Sequence, residues 1–122
     1  MPDKRRILLV DDEPGIVKMV GRRLEAEGYA VAVAMDGEEA LQKGLEGDHE
    51  LVILDIMLPK INGYEVCRQL KAARPDVPVV MFTAMAQQKD RKLGFESGAD
   101  DYVCKPFRTD DLLAKIREWL KQ

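Results

Sequence analysis

Two hydrophobic patterns alternate along the chain. Short runs rich in Val, Ile and Leu are nearly continuous, which is typical of strands covered by helices on both faces of a parallel sheet. Between them, apolar residues recur every three or four positions, the spacing of one face of an α-helix. The short runs predict strands at Arg6–Val10, Tyr29–Ala34, Leu51–Leu54, Val79–Phe82 and Asp101–Val103. The longer stretches predict helices at Gly15–Glu27, Gly37–Glu46, Gly63–Ala73, Gln87–Glu96 and Thr109–Lys121.

Residues at the predicted helix ends support these assignments. Asp36 precedes Glu39 by three residues, the spacing of a capping box. Gly28 and Gly98 stand where helices are expected to stop. Trp119 belongs to the apolar stripe of the last helix, so we expect it to pack in the core and not to contact a ligand.

Five β-α units in about 120 residues predict an α/β fold, with an open, doubly wound parallel sheet and right-handed crossovers. We expect one domain spanning residues 1–122, since this length suits a single hydrophobic core. Ligands of such sheets bind beyond the carboxyl ends of the strands, where strand order reverses. Those ends are therefore the place to look for a site.

Composition narrows the class of protein. With 46% hydrophobic and 34% charged residues and a net charge of -3, the chain resembles an ordinary globular domain without a basic surface for nucleic acid. It has neither a signal-peptide core nor an apolar run of membrane-spanning length, so we predict a cytoplasmic protein. Cys67 and Cys104 lack CxxC spacing and are expected to stay reduced, and His49 is interpreted as a loop residue.

Polar, chemically reactive residues follow four of the five predicted strands. Asp11 and Asp12 follow the first strand, Asp55 the third, Thr83 the fourth and Lys105 the fifth. Any one of these residues would be weak evidence, because loops carry polar residues easily. Their shared position at one edge of a parallel sheet predicts that they converge.

Three converging carboxylates would either take up protons or bind a cation. Two carboxylates about 4 Å apart repel by roughly 4 kcal/mol at an effective dielectric near 20, and an oxygen-only ligand set suits Mg²⁺. A carboxylate can also attack phosphorus to give an acyl phosphate. Phosphoryl transfer needs a metal, a cation and hydrogen-bond donors, which the acids, Lys105 and Thr83 would supply.

Over essentially its whole length, the chain resembles a receiver domain of a two-component response regulator, of the kind found in chemotaxis. The matching motifs are Leu9-Val10-Asp11-Asp12-Glu13, Leu54-Asp55-Ile56-Met57-Leu58-Pro59 with Gly63, Phe82-Thr83-Ala84, and Gly98-Ala99-Asp100-Asp101-Tyr102-Val103-Cys104-Lys105-Pro106-Phe107. The resemblance implies a flavodoxin-like (βα)5 fold with strand order 2-1-3-4-5.

The resemblance also assigns roles to the acids. Asp55 is implied to accept a phosphoryl group from a phosphohistidine of a sensor histidine kinase or phosphotransfer protein. Asp11, Asp12, Asp55 and the main-chain carbonyl of Met57 are implied to bind Mg²⁺, for which Mn²⁺ substitutes. The domain would act as a signalling switch that assists its own phosphorylation and dephosphorylation, and not as a free-standing enzyme.

The same resemblance implies a route for the signal. Thr83 would move toward the phosphoryl group and Tyr102 would rotate inward. The Lys105-Pro106 bond is implied to be cis, although the sequence alone allows trans. The fourth helix, fifth strand and fifth helix would then act on a downstream effector domain or partner protein.

Two further expectations concern residues near this site. Met57 and Met85 are apolar, so neither side chain is expected to orient a water that hydrolyses the acyl phosphate, although simple loop packing explains them equally well. Four charged residues on the output face fit either a solvated surface or a symmetric, phosphorylation-dependent homodimer: Arg91, Asp101, Asp111 and Lys115.

Two other classes of protein are disfavoured. A magnesium-dependent phosphohydrolase with an aspartyl nucleophile would commonly carry Asp-x-Asp and a cap segment, whereas Asp55 is followed by Ile56 and Met57. A flavin or nucleotide carrier would need a phosphate-cradling loop after the first strand, where this chain has Asp-Asp-Glu-Pro-Gly.

Overall fold

The computed structural model describes residues 4–84 and 88–120. Strands and helices alternate throughout. The strands are β1 (Arg6–Val10), β2 (Ala30–Ala34), β3 (Leu51–Leu54), β4 (Val79–Thr83) and β5 (Asp101–Cys104). The helices are α1 (Pro14–Ala26), α2 (Gly37–Glu46), α3 (Gly63–Ala73), α4 (Gln88–Glu96) and α5 (Thr109–Leu120).

The sheet has the order β2-β1-β3-β4-β5 and every pairing is parallel, which confirms the predicted fold. Val10 at the end of β1 is level with Leu54 at the end of β3, and Thr83 at the end of β4 is level with Cys104 of β5. These registers bring the carboxyl ends of the strands to one edge. Because the strands end level with one another, the polar residues that follow them lie near one another, as the sequence predicted.

Each face of the sheet is covered by its own apolar layer. One layer joins β1, β3 and β4 to α1 and α5 through residues such as Leu24 and Ile116. The other joins the opposite face to α2 and α3 through residues such as Ala40 and Leu70. Both faces of the central strands are therefore buried, which explains why their sequences are continuous apolar runs.

The strand and helix ends differ from the prediction by one residue or so. Strand β2 begins at Ala30, and Tyr29 before it is buried in the core, so its apolar character reflects packing and not strand pairing. Strand β4 includes Thr83, because its ladder with β5 continues to that position. The predicted helix residues Gln87 and Lys121 lie outside the described part of the chain.

The predicted helix-end signals are present. Asp36 Oδ1 accepts a hydrogen bond from Glu39 N at 2.7 Å, as the N-cap of a capping box does. Glu39 Oε1 reaches back and accepts a bond at 2.7 Å from Met35 N, the residue before the cap, in place of the cap's own N–H. Gly28 and Gly98 have φ values of 96° and 107°, the left-handed conformation that ends helices.

Residues for which no ligand role was predicted are accounted for by the fold. Trp119 packs against the core as expected, and its Nε1 also donates a hydrogen bond to Asp101 Oδ2 at 2.9 Å. His49 lies in the loop before β3, and Cys67 and Cys104 form no disulfide. Over residues 4–84 and 88–120, no helix has the length and apolar character that crossing a membrane requires.

Candidate functional site

The ends of β1 and β3 hold Asp11 and Asp55 side by side. Asp55 N donates a hydrogen bond to Val10 O at 3.0 Å, and Asp11 N donates one to Ala34 O at 3.1 Å. Each bond extends the parallel ladder by one residue beyond the strand. Because the backbones are held in this way, the two carboxyl groups lie at the same edge of the sheet.

Asp12 completes an acidic cluster with these two residues. One carboxylate oxygen from each of Asp11, Asp12 and Asp55 lies within 4.8 Å of the others. Asp11 and Asp55 are buried, whereas Asp12 is exposed. A set made only of carboxylate oxygens, with one open side, fits Mg²⁺, which keeps several waters when it binds beside a phosphate.

Lys105 reaches into the cluster from the end of β5. Its backbone N donates a hydrogen bond to Thr83 O at 2.8 Å, and the Lys105-Pro106 peptide bond is cis. Its Nζ lies 2.7 Å from Asp11 Oδ2 and 3.2 Å from Asp55 Oδ2. The ammonium group therefore bridges the two buried carboxylates.

Two residues that the sequence did not single out also contact this lysine. Lys105 Nζ lies 3.4 Å from Glu13 Oε1 and 4.9 Å from the centre of the Phe82 ring. Phe82 in turn makes an edge contact with Phe107 at a centroid distance of 5.6 Å. Both residues stand in the matching motifs, Glu13 directly after the paired aspartates and Phe82 directly before Thr83, which could have identified them, but no role was predicted for either.

Burial and charge act in opposite directions on the ionisable groups. Burial raises the pKa of Asp11 above its ordinary value, and hydrogen bonds from Lys105 and from the Glu13 N–H offset part of this increase. Burial by itself would lower the pKa of Lys105, but the hydrogen bond to Asp11 and the charge of Asp55 raise it overall. Lys105 therefore stays protonated as the cation of the site.

Met57 lies at the open side of the site. Its backbone N donates a hydrogen bond to Asp55 Oδ1 at 3.1 Å, and its side chain is 60% exposed at a cleft of about 470 Å³ that Asp12 also lines. The apolar side chain offers no hydrogen bond to a water in that cleft. Met85, the other residue expected to affect hydrolysis, lies outside the described residues.

Thr83 and Tyr102 are both buried. Thr83 is fully buried at the end of β4, and Tyr102 is 4% exposed within the layer beneath α3. Burial raises the pKa of the Tyr102 phenol. The guanidinium of Arg91 lies 5.2 Å from the centre of the Tyr102 ring. The Tyr102 side chain is thus buried in this structure, and its inward rotation on phosphorylation stays a prediction.

Three of the four charged residues of the predicted output face, Arg91, Asp101 and Lys115, contact other side chains of the same chain. Asp101 pairs with Lys115 at 3.1 Å, and Trp119 donates a hydrogen bond to the same carboxylate. Burial alone would raise the pKa of Asp101, but these contacts lower it below its ordinary value. Arg91 Nη2 lies 3.6 Å from Cys104 Sγ.

Comparison with known proteins agrees with this geometry. Residues 7–117 match the family model described as the response regulator receiver domain. The chain is 44% identical over 118 residues to the alkaline phosphatase synthesis transcriptional regulatory protein PhoP of Bacillus subtilis, covering 97% of this chain and 49% of PhoP. It is 47% identical to the DNA-binding response regulator MtrA of Mycolicibacterium smegmatis, covering 98% and 52%. The chain thus spans about half the length of these curated relatives.

Solved structures show the same similarity. A CheY-like receiver domain protein from Methanospirillum hungatei superposes with a TM-score of 0.94 at 35% identity, covering 98% of this chain and 95% of that one. The receiver domain of sensor histidine kinase PA1611 from Pseudomonas aeruginosa, solved with magnesium in its active-site cleft, gives 0.90 at 30% identity, covering 98% and 99%. The chain therefore belongs to the family of receiver domains of two-component response regulators.

Proposed function

We propose that this receiver domain accepts a phosphoryl group on Asp55 from a phosphohistidine, in a reaction that requires Mg²⁺ or Mn²⁺. Asp11, Asp12, Asp55 and the main-chain carbonyl of Met57 are the proposed metal ligands. The observation that carries the proposal is the acidic cluster of three aspartates with the Lys105 ammonium 3.2 Å from Asp55 Oδ2. In such an arrangement the proposed nucleophile, metal ligands and phosphate-binding cation would act within one small volume.

The chemistry follows from these positions. A carboxylate oxygen of Asp55 forms a bond to phosphorus while the bond from phosphorus to the donor nitrogen breaks, and the nitrogen keeps the electron pair. Bound Mg²⁺ would supply charge neutralisation for the transferred oxygens. Lys105 would exchange its contact with Asp55 Oδ2 for one with a phosphoryl oxygen. Thr83, at the end of the neighbouring strand, would donate its hydroxyl hydrogen to another.

One phosphoryl group retained by each chain is expected if the domain is a switch and not an enzyme. We expect treatment with acetyl phosphate and Mg²⁺ to add one group, which then decays slowly, since Met57 offers no polar group to orient an attacking water. The measurement is intact mass over time, with released phosphate assayed in parallel. Sustained release of many phosphates per chain would instead favour a phosphohydrolase.

We propose that phosphorylation is read out through Thr83, Tyr102 and the α4-β5-α5 face. The burial of Tyr102 beneath Arg91 supports this route, because Arg91 belongs to that face. A change in the position of the Tyr102 side chain would alter its contact with Arg91 and so the surface of that face. The charge of the phosphoryl group would in this way shift the balance between two packing arrangements.

Phosphorylation is expected to produce a symmetric homodimer through the same face. The charges of Arg91, Asp101, Asp111 and Lys115 would form ion pairs between protomers. Sedimentation with a beryllofluoride phosphate mimic is expected to show a dimer that Asp111→Lys weakens and that Glu25→Lys, an exposed charge reversal on α1, leaves intact. A monomer with and without the mimic would contradict this.

The remaining assignments concern the setting of the domain. We propose a single domain over residues 1–122 in the cytoplasm, where cysteines that form no disulfide remain reduced. Its partners would be a sensor histidine kinase or phosphotransfer protein and an effector. The net charge of -3 argues against direct contact of this domain with nucleic acid. The names of the relatives PhoP and MtrA support an effector that regulates transcription.

A further inference from the structure

The first turn of α2 lies against the loop that follows Asp55. Gly37 N donates a hydrogen bond to Pro59 O at 3.1 Å. Lys60 Nζ lies 3.4 Å from Asp36 Oδ2, the same side chain that caps α2. Among the described residues, this bond from Gly37 is the only backbone hydrogen bond that joins residues 57–61 to a helix or strand.

The contact between Gly37 and this loop is too close for any side chain. A Cβ atom placed on Gly37 would overlap Ile61 O and lie 2.8 Å from Ile61 C. Both are backbone atoms, which cannot rotate away as the end of a side chain can. The presence of glycine at position 37 therefore has a physical reason: it lets the backbone of α2 approach the backbone of the loop.

The loop held in this way carries Met57. The Met57 carbonyl and the Leu58 N–H belong to one peptide plane, and Leu58 N donates to Ile56 O at 3.0 Å. Pro59, whose carbonyl accepts the bond from Gly37, follows directly. The Met57 side chain is mostly exposed and gives the loop little anchorage of its own. The Met57 backbone is held on one side by its N–H bond to Asp55 Oδ1, and on the other side the chain is held by α2 at Pro59. The orientation of the Met57 carbonyl therefore depends in part on where α2 holds Pro59.

We propose that Asp36 and Gly37 are positioning residues of the metal site, which hold the 56–61 loop so that the Met57 carbonyl faces Asp11, Asp12 and Asp55. The inference rests on the proposed function, in which that carbonyl binds Mg²⁺. It gives a role to the end of β2, which was the one predicted strand end without a reactive residue. The helix contributes no ligand and acts by fixing a loop that does.

Gly37→Ala tests this role through metal affinity. Denaturant unfolding at a series of Mg²⁺ concentrations gives the Kd, because a ligand that binds only the native state stabilises it by an amount set by concentration and Kd. We expect Gly37→Ala to raise the Kd about tenfold or more, the range for losing a group that orients a ligand. An unchanged Kd overturns the inference.

Gly44→Ala is the matched control in the same helix. A Cβ there would lie 2.5 Å from Leu70 Cδ2, the end of a side chain that can turn away, and far along α2 from the loop. This variant is expected to lose some stability and keep the parent Kd for Mg²⁺. If it weakens Mg²⁺ binding as much as Gly37→Ala does, the effect is one of general destabilisation and the inference fails.

Amide hydrogen exchange on the unmodified chain provides a test that does not depend on a variant folding. If Mg²⁺ binds only when the loop is docked, saturating Mg²⁺ must slow exchange of the Gly37 amide. The Gly47 amide, which donates to Lys43 O at 2.9 Å at the other end of α2, serves as the internal reference. Mg²⁺ that leaves Gly37 exchange unchanged, or slows both amides equally, overturns the inference.

A separate variant, Asp12→Asn, distinguishes an error in the proposed metal site from an error in the positioning role. Asp12→Asn is expected to remove most of the stabilisation by Mg²⁺. If it does not, the proposed metal site is wrong and the positioning role falls with it. If Asp12→Asn weakens Mg²⁺ binding while Gly37→Ala does not, the metal site stands and only the positioning role is rejected.

Discussion

Lys105→Met is expected to lower the free energy of unfolding by about 3 kcal/mol in metal-free buffer, the lower end of the range for removing one partner of a buried ion pair. The Lys105 side chain is 11% exposed, and the carboxyl groups it bridges, those of Asp11 and Asp55, are 0% and 5% exposed. Without the ammonium group, two buried carboxylates face each other with no cation between them. Chemical denaturation monitored by circular dichroism measures the loss.

Mg²⁺ should restore part of the stability that this variant loses. A metal ion neutralises the same carboxylates, and in the variant it no longer competes with the lysine for them. The stabilisation by Mg²⁺ is therefore expected to be larger in Lys105→Met than in the parent. Lys92→Met is the control, since Lys92 pairs with Glu96 at 4.0 Å on the surface of α4. Its replacement should change the free energy of unfolding by less than about 0.5 kcal/mol.

Two results would contradict this account of the site. One is a Lys105→Met variant that unfolds at the same denaturant concentration as Lys92→Met. The other is a variant that Mg²⁺ stabilises no more than it does the parent. Either would mean that the lysine does not hold the buried carboxylates in the way that its distances of 2.7 and 3.2 Å indicate.

The acidic cluster could be predicted from the sequence because it depends on strand order and strand length. Continuous apolar runs locate the ends of β1 and β3, and the parallel pairing of Val10 with Leu54 brings the next residue of each strand together. The strand order itself came from the family motifs and not from the apolar pattern. The apolar runs thus locate the two strand ends, and the family motifs supply the strand order that makes Asp11 and Asp55 neighbours.

Other contacts could not be predicted because they join loops that are distant in sequence. The close approach of Gly37 to Ile61 depends on how two loops cross, and no periodic pattern encodes that distance. The hydrogen bond from Trp119 to Asp101 is a similar case, since helical spacing shows only that the indole faces the core. The position of Tyr102 is a choice of side-chain rotamer, which the sequence leaves open.

The phosphoacceptor assignment is tested most directly by the mass of the intact chain after treatment with acetyl phosphate and Mg²⁺. The parent is expected to gain one phosphoryl group, and Asp55→Asn to gain none, because an amide in place of the carboxylate is not a nucleophile toward phosphorus. Asp48→Asn, which changes an exposed carboxylate paired with Arg6 outside the site, should behave as the parent. An Asp55→Asn chain that gains phosphate as the parent does would show that Asp55 is not the acceptor.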